Sequence, residues 1–345
     1  MKRRELLKGL AAVPLFGSVV FGAGRRAVRS ERMIKPKRLA KGDTVALIAP
    51  ASSIEAKGFD AAVQNLESFG LKVKLGKYVR SRNGFLAGTD KQRLEDLHGA
   101  FADKDVDAIW CIRGGYGITR YLPDLDLKLI KANPKILIGY SDVTALLTAI
   151  TQNTGLVTFH GPTAGGTFSE YSRMHALNVL MNPAANYKIA VSPENAANTS
   201  NLFQTETITK GKCRGELIGG NLSLLSALAG TRSALRNLKG KILFLEDVRE
   251  QPYRIDRMLT QLKQSVDLRE CAGIALGIFV GCNPTDPQSQ TLIEVLKDRL
   301  GDLGIPVIYG LSFGHIRDQF TLPVGVKAEL DTETAVMTLV ETAVS

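Results

Sequence analysis

The sequence has few residues of the kinds that bind metals or form disulfides. It contains four cysteines, four histidines and one tryptophan. No C-x-x-C pair occurs, and no cysteines and histidines cluster at metal-ligand spacing, which excludes a zinc ribbon or a dithiol redox motif. We therefore expect neither a metal nor another cofactor. Pairing of Cys271 with Cys282 in an oxidising compartment is left open by the sequence.

Outside its N-terminus the chain also lacks an excess of charge of either sign. The formal net charge is +10, but residues 1–38 hold eleven basic and two acidic residues, so +9 lies there and +1 in the remainder. A nucleic-acid-binding face needs basic residues spread over a folded surface, so we expect no nucleic-acid partner. The length is sufficient for about two globular domains.

The basic N-terminus has the pattern of an export signal. Residues 2–8 (KRRELLK) resemble the twin-arginine motif, and a mildly apolar run rich in glycine and alanine follows from Gly9 to Gly24. That run is too short and too weakly apolar for a stable membrane span. We predict a twin-arginine-type leader at residues 1–24, a basic tether at 25–40, and a periplasmic or exported protein. An uncleaved leader that anchors the chain and a cytoplasmic location are the alternatives.

Short apolar runs alternate with stretches of helical periodicity through the first half of the chain. Four such runs predict buried strands: 44–49, 72–75, 107–112 and 135–140. This alternation is typical of a parallel sheet covered on both faces, so we predict an α/β domain over residues 41–190. Ligands of such sheets bind where the strands end.

A polar stretch at residues 191–205, which contains a proline and several asparagines, predicts a linker. Beyond it, further apolar runs predict strands at 241–246, 273–279 and 306–309. We predict a second, smaller domain of mixed α/β structure over residues 206–340.

Ser141 lies at the corner between the predicted strand 135–140 and a predicted helix over residues 142–152. A serine on such a turn exposes its hydroxyl, and the helix N-terminus offers free N–H groups to a developing oxyanion. The match to G-x-S-x-G is incomplete, because Val143 replaces the second glycine. Ser141 is therefore either a nucleophile or a helix cap. Asp142 is predicted to cap the same helix.

A serine nucleophile needs a base and an orienting acid. His98 and His175 lie in polar, helical surroundings and are predicted to be surface residues. His160 and His315 each follow a strand-like run, where a catalytic base is expected. Glu246 ends the apolar run that begins at residue 241, where a carboxylate is either functional or paired with an arginine. The neighbouring candidates for such a pair are Arg249, Arg254 and Arg257.

A glycine-rich loop, RGGYG at residues 113–117, follows the third predicted strand. Glycines allow the backbone to approach a ligand closely. The loop does not match G-x-G-x-x-G, and the first strand ends without a phosphate-cradling glycine pattern, so nucleotide binding is disfavoured. The loop either donates a backbone N–H to an oxyanion or is a plain tight turn.

Five short motifs occur in a fixed order along the chain. They are RGGYG at 113–117, GYSD at 139–142, HGP at 160–162, LEDV at 245–248 with PYRIDR at 252–257, and GH at 314–315. Together they resemble the LD-carboxypeptidase family of serine peptidases, which also includes the microcin-C-type self-immunity peptidases. The resemblance spans residues 36–340, and five ordered motifs are far more specific than one.

The resemblance implies that Ser141 is the nucleophile, His315 the general base and Glu246 its orienting partner. The backbone N–H groups of Gly115 and Asp142 would form the oxyanion hole. It also implies a class I amidotransferase-like N-terminal domain, a site at the junction of two domains, and a homodimer.

The implied activity is that of a metal-independent serine carboxypeptidase that releases terminal D-alanine from a murein tetrapeptide. Arg113 or Arg254 is a candidate partner for the substrate carboxylate, with structural ion pairing as the alternative role. Family members that recycle cell-wall peptides are generally cytoplasmic, so the leader leaves the physiological substrate open.

Two alternatives are kept beside this expectation. The first is hydrolysis of peptidyl-nucleotide antibiotics, which needs an aromatic surface for the nucleobase, whereas Trp110 lies in a predicted buried strand. The second is a non-catalytic, exported muropeptide-binding protein.

Overall fold

The computed structural model describes residues 33–345, in which strands and helices alternate. The strands are β1 (Thr44–Ile48), β2 (Lys72–Leu75), β3 (Ala108–Cys111), β4 (Ile136–Gly139), β5 (Thr158–His160), β6 (Tyr187–Ile189), β7 (Glu206–Thr209), β8 (Lys212–Asn221), β9 (Lys241–Glu246), β10 (Gly273–Gly277), β11 (Val307–Leu311), β12 (Leu322–Val324), β13 (Lys327–Asp331) and β14 (Val336–Leu339). The α-helices are α1 (Ala56–Ser68), α2 (Asp90–Ala102), α3 (Leu127–Ala132), α4 (Thr144–Thr154), α5 (Glu170–Leu180), α6 (Pro193–Ala196), α7 (Leu222–Ala227), α8 (Pro252–Ser265) and α9 (Leu292–Leu300).

The predicted leader at residues 1–24, and the tether as far as residue 32, lie outside the described residues. From residue 33 onward, no helix combines the length and the apolar character that a membrane crossing requires.

The first sheet holds the five N-terminal strands in parallel, in the order β2-β1-β3-β4-β5, and β12 pairs antiparallel with β5 at its edge. All residues of β3 and β4 are buried, as expected of parallel strands covered on both faces. The register pairs Trp110 with Leu47 on one side and with Ile138 on the other. The predicted parallel sheet is confirmed, and β1, β3 and β4 end at one edge.

The second sheet is mixed, in the order β6-β14-β13-β8-β9-β10-β11-β7. Its central strands β8 to β11 run parallel, and the outer ones pair antiparallel. Asn221 pairs with Glu246 in the register of β8 and β9, so these strands end side by side. The predicted mixed α/β region is thereby confirmed.

The two sheets exchange strands across the predicted domain bounds. β6 belongs to the sequence range 41–190 but lies in the second sheet, and β12 belongs to 206–340 but lies in the first. The bounds themselves remain a prediction. The exchange ties the sheets together at two points far apart in the chain.

The segment predicted as a linker is bonded to the rest of the fold. It contains α6 and a turn of 3₁₀ helix at Asn201–Phe203. Ser192 N–H and the Asn195 side chain both donate to Ser312 Oγ, at 2.8 and 2.9 Å, and Ser192 Oγ donates to Asp318 at 2.6 Å. These buried bonds fix the segment against the loop that follows β11.

Helix α4 is buried on every side, not on one face. The spacing of its apolar residues predicts a single buried stripe, but the threonines between them are buried too. The second sheet explains the difference, because β8 packs on the remaining side of α4 and Thr144 Oγ1 accepts the Asn221 N–H at 3.0 Å. Thr148 and Thr151 are satisfied by donating to backbone carbonyls at 2.8 and 2.9 Å, as buried hydroxyls require.

The possible disulfide is not formed. Cys271 and Cys282 are both free and buried, and burial raises the pKa of each thiol to about 12. Each packs as a small apolar residue in the core.

Candidate active site

Ser141 and the glycine-rich loop meet at one edge of the first sheet. Because β3 and β4 are parallel neighbours, the 113–117 loop and Ser141 follow adjacent strand ends. In the second sheet, Glu246 ends β9 and His315 follows β11. The two edges face each other, since the ring of Tyr140 lies 4.8 Å from the ring of His315.

Ser141 holds an unusual backbone conformation. Its φ of 63° lies in the left-handed region, which costs a residue with a side chain of order 1 kcal/mol or more and is common at functional sites. β4 ends at Gly139, a 3₁₀ turn covers Ser141–Val143, and α4 begins at Thr144. The tight corner predicted from the sequence is therefore present.

Gly139, the first glycine of the G-x-S-x-G pattern, compensates for the missing second glycine. A Cβ on Gly139 would lie 2.9 Å from Val143 Cγ1, so the bare Gly139 backbone makes room for the valine. The turn closes although Val143 stands where the motif has glycine.

The glycine-rich loop packs directly on this turn. A Cβ on Gly114 would lie 2.9 Å from Ser141 Cβ, and Gly115 has φ +116° with Ser52 Oγ only 2.3 Å from the position of a Cβ. Within residues 33–345, neither Gly115 N–H nor Asp142 N–H donates to a protein atom. Both amides are free to bind an oxyanion.

Asp142 does not cap its helix through its side chain. Its carboxylate instead accepts the Ile118 N–H at 3.0 Å, because the folded sheet brings the loop after β3 within hydrogen-bond distance of it. The side chain is buried, and burial raises its pKa to about 6. The bond ties the glycine-rich loop to the Ser141 turn.

His315 and Glu246 form a buried pair. His315 Nδ1 lies 2.7 Å from Glu246 Oε2, with 19% of the histidine side chain exposed and none of the glutamate. Gly314, at φ +116°, allows this approach, since a Cβ there would lie 3.2 Å from Glu246 Oε2. The pair leaves the second imidazole nitrogen, Nε2, for another partner.

The pair shifts both pKa values in the direction that favours ions. Burial opposes the charged form of Glu246, but the nearby His315 outweighs it, so the carboxyl pKa is lowered. Burial likewise lowers the pKa of His315, while the charge and hydrogen bond of Glu246 raise it above 6.5 on balance.

The alternative pairing of Glu246 with an arginine is wrong. Among the described residues its partner is His315, whereas Arg254 pairs with Glu250 at 3.4 Å and Arg257 lies over the ring of Tyr253. The reason is geometric. Arg254 and Arg257 lie on the exposed side of α8, whereas the Glu246 side chain is fully buried where the sheets meet.

No hydrogen bond joins Ser141 Oγ to His315 among residues 33–345. The Tyr140–His315 ring contact brings the serine turn and the histidine loop together, and catalytic bonds often tighten only when substrate is bound.

Two histidines that were predicted to be surface residues, His98 and His175, are not fully exposed. His175 is buried, with Nδ1 2.7 Å from the Tyr187 hydroxyl, and burial lowers its pKa to about 4. His98 is half-buried, and its Nε2 accepts the Asp126 N–H at 3.0 Å. Packing against neighbouring elements, which local polarity does not reveal, accounts for both corrections.

His160 is fully buried behind the Glu246–His315 pair. Its ring contacts Tyr140 and Phe244, with centroids 6.0 and 5.4 Å away, and neither ring nitrogen has a hydrogen-bond partner among the described residues. Burial lowers its pKa to about 4. His160 is therefore neutral and does not replace His315 in the pair.

The two candidate cations are exposed. Arg113 Nη1 donates to the carbonyl of Ser53 at 3.0 Å, next to the glycine-rich loop. Arg254 is bonded to Glu250 and to the Tyr253 hydroxyl. Only Arg113 is tied to the edge that carries Ser141.

Three residues at the site were not predicted as part of it: Asn221, Tyr140 and Asp247. Asn221 faces Glu246 in the β8–β9 register and donates to Asp247 Oδ1 at 3.3 Å, while Ser223 donates to Asp247 Oδ2. Asn221 and Glu246 end neighbouring parallel strands. Its place at a strand end is the feature of the sequence that could have identified Asn221 as a site residue.

Comparison with protein families gives two matches. Residues 45–161 match the LD-carboxypeptidase N-terminal domain, and residues 214–330 match the LD-carboxypeptidase C-terminal domain.

Curated and solved proteins agree. The chain is 44% identical over 299 residues to the probable murein peptide carboxypeptidase of Bacillus subtilis, covering 86% of this chain and 92% of that protein. It is 38% identical over 294 residues to the murein tetrapeptide carboxypeptidase of Pseudomonas aeruginosa, covering 83% and 92%. The structure of MccF in complex with glutamyl sulfamoyl guanosine superposes with a TM-score of 0.82 at 28% identity, covering 90% and 99%.

Proposed function

The chain belongs to the LD-carboxypeptidase family of serine-type peptidases, and we propose that it releases terminal D-alanine from murein tetrapeptides. The bond cleaved would join the L-configured centre of the third residue, such as meso-diaminopimelate, to D-alanine. The observation that carries this proposal is the buried Glu246–His315 pair, which faces the strained turn of Ser141 across the junction of the sheets.

In this mechanism Ser141 is the nucleophile. Its Oγ attacks the carbonyl carbon of the scissile amide while His315 Nε2 takes the hydroxyl proton. Glu246, hydrogen-bonded to Nδ1, holds the imidazole in the tautomer that leaves Nε2 free to accept, and it stabilises the imidazolium that forms. The 2.7 Å bond and the raised pKa of His315 support these roles.

The oxyanion of the tetrahedral intermediate would be bound by Gly115 N–H and Asp142 N–H. Their lack of any partner in the described residues supports this assignment, because donors aimed at a developing charge must not be occupied beforehand. The hydrogen bond that Ile118 N–H donates to the Asp142 carboxylate ties together the two segments that carry these donors.

The remaining steps return the enzyme to its starting state. The carbon–nitrogen bond breaks, His315 gives its proton to the leaving nitrogen, and D-alanine departs. His315 then takes a proton from water, whose oxygen attacks the acyl ester. Collapse of that intermediate releases the tripeptide carboxylate and restores the Ser141 hydroxyl as His315 returns its proton.

The test of the substrate is mass spectrometry of murein tetrapeptide incubated with the purified protein. The expected products are the tripeptide and one alanine of D configuration. A tetrapeptide that ends in L-alanine should stay intact, because the proposed site accepts only a leaving residue of D configuration. Persistence of the D-alanine tetrapeptide with correctly folded protein would overturn the proposal.

Two other functions are distinguished by the same assay. The likeness to MccF bound to glutamyl sulfamoyl guanosine favours a glutamyl sulfamoyl nucleoside as the second substrate tested. If the protein cleaves that compound but not the tetrapeptide, its function is instead that of a microcin-immunity peptidase. Binding of tetrapeptide without cleavage, and without labelling by a serine-directed phosphonate, would indicate a muropeptide-binding protein.

We further propose export by the twin-arginine route and assembly as a homodimer. The paired arginines Arg3 and Arg4 support the first proposal, and the family supports the second. Replacing both arginines with lysine should keep the protein in the cytoplasmic fraction. Light scattering of the purified protein should give twice the mass of one chain, and a monomeric mass would contradict the dimer.

A further inference from the structure

Two large aromatic side chains lie side by side in solvent next to the Ser141 turn. Phe85 is 64% exposed and Tyr116 is 50% exposed. Their ring centroids are 5.7 Å apart, at an interplanar angle of 57°. Exposed apolar groups that touch each other mark binding sites more often than isolated ones do.

Hydrogen bonds anchor the backbone of both ring-bearing loops to the edge of the first sheet. Tyr116 directly follows Gly115, and its N–H donates to Ser52 Oγ at 3.1 Å. Phe85 lies in a tight loop closed by two bonds between Asn83 and Leu86, and its carbonyl accepts the Ser53 N–H at 3.3 Å. The loop that carries Phe85 and the loop beside Ser141 thus share one anchor, at residues 52 and 53.

The two loops that carry the rings also carry two arginines whose charge is uncompensated. Arg82 Nε donates to the Gly84 carbonyl at 3.3 Å, and Arg113 Nη1 donates to the Ser53 carbonyl at 3.0 Å. Neither pairs with a carboxylate of residues 33–345, whereas the nearby Arg120 is bonded to Asp90 at 2.9 Å. A guanidinium has five N–H donors, so both arginines keep donors for a ligand.

We propose that Phe85, Tyr116, Arg82 and Arg113 form a binding surface for the acidic stem of the murein peptide. This inference rests on the proposed function, which sets the scissile bond at Ser141. The carboxylates of the stem face the two arginines, and its aliphatic carbons pack against the rings. We call these four residues the aromatic–arginine surface.

The geometry of the rings favours an aliphatic chain over a nucleobase. A flat base is held best between parallel rings or over one open face. Phe85 and Tyr116 instead contact each other at 57°, so no base fits between them, and their exposed sides together offer an apolar surface on which aliphatic carbons can pack. The charge complementarity between two free guanidinium groups and a peptide with several carboxylates points to the same occupant.

The experiment compares the kinetics of tetrapeptide cleavage in two double variants, Phe85→Ala/Tyr116→Ala and Arg82→Gln/Arg113→Gln. Each is expected to raise KM about tenfold, the scale of a lost aromatic or charged contact, with kcat changed by less than about threefold. Labelling by a small serine-directed phosphonate that lacks a stem should be unchanged. Met174→Ala and Arg214→Gln remove an exposed apolar side chain and an exposed arginine elsewhere, and should leave KM unchanged.

A binding measurement separates failure of the surface from failure of the function. The same variants are combined with Ser141→Ala, and tetrapeptide binding is followed by calorimetry. Binding weakened about tenfold supports the surface even if the wild type does not cleave. Unchanged binding and KM overturn it, as does the absence of any tetrapeptide binding. Weakened binding of a glutamyl sulfamoyl nucleoside, with tetrapeptide binding unaffected, also overturns it and identifies a base-binding surface instead.

Discussion

His315 Nδ1 lies 2.7 Å from the buried Oε2 of Glu246. The two residues belong to the second sheet and the loop that follows it, whereas Ser141 belongs to the first sheet. In the proposed mechanism the reaction therefore depends on how the sheets meet, and the strand exchange through β6 and β12 holds that junction.

Replacing Glu246 with glutamine should remove most activity without unfolding the protein. The amide keeps the shape of the side chain but no longer stabilises the imidazolium or the required tautomer. We expect kcat to fall by about 10⁴, as for the equivalent change in another serine triad. Steady-state kinetics on tetrapeptide test this, with Glu250→Gln as the control carboxylate that pairs with Arg254. Near-wild-type kcat in Glu246→Gln would contradict the role of the pair.

The pH dependence of kcat/KM should follow the proton on His315. The base must be neutral to accept a proton from Ser141, so activity rises with pH through the pKa of His315, which Glu246 raises above 6.5. Glu246→Gln removes the largest influence that raises this pKa, while burial still lowers it, so the residual activity should rise at lower pH than in the wild type. If kcat/KM rises at the same pH in both proteins, a group other than His315 controls this rise.

The same pair links stability to pH. His315 has a raised pKa, so its contribution is complete below 6.5 and is lost as pH rises through the folded value. Glu246 has a lowered pKa, so its contribution is present above 4.5 and is lost as pH falls through the folded value. The wild type should exceed Glu246→Gln in unfolding free energy most clearly between these limits. The comparison is made by urea unfolding across that range.

Replacing Gly115 with alanine should reduce activity severely. The residue holds φ +116°, and its new Cβ would lie 2.3 Å from Ser52 Oγ, so the loop must move and displace the proposed oxyanion donor. Loss of one such donor costs about 10² to 10³ in kcat. Gly304→Ala is the matched control, because Gly304 has φ +71° and nothing lies within 4 Å of a Cβ there. Equal activities of the two variants would argue against the Gly115 donor.

Replacing His160 with phenylalanine should make stability less sensitive to acid. The pKa of His160 is lowered from 6.5 to about 4 by burial, so between these values the unfolded chain binds a proton that the folded chain does not. Wild-type stability therefore falls as pH drops through this window, by about 2 to 3 kcal/mol relative to the variant. No hydrogen bond of the described residues is lost in the exchange.

Urea unfolding at pH 7 and pH 4.5 measures this difference. Phe313→Leu perturbs the same cluster, since its ring lies 6.2 Å from that of His160, but it removes no titratable group. Its stability difference from the wild type should be the same at both pH values. An equally constant difference for His160→Phe would mean that the imidazole is charged or hydrated in the folded protein.

Local patterns were sufficient to predict the parts of the fold that depend on neighbours in sequence. The parallel strands of the first sheet are continuous apolar runs in the sequence, because both of their faces are covered. The corner at Ser141 was predictable because an apolar run is followed directly by a helical pattern. Glu246 was identifiable as a candidate because a carboxylate is unusual at the end of an apolar strand.

The features that depend on distant pairing were not predictable in this way. β12 joins β5 by pairing Leu322 with His160, and nothing near either residue specifies the other. The Asp142 carboxylate was expected to cap its own helix, yet Ile118 N–H lies within reach only after the sheet has formed. The same holds for Phe85 and Tyr116, which are far apart in sequence and meet through the anchor at residues 52 and 53.

The measurement that tests the central claim most directly is the turnover of murein tetrapeptide by the wild type and by Ser141→Ala, side by side. The proposed mechanism predicts loss of one D-alanine with the wild type, and a fall of about 10⁶ in kcat for a variant that keeps the wild-type circular dichroism spectrum. Release of D-alanine by folded Ser141→Ala at the wild-type rate would contradict it.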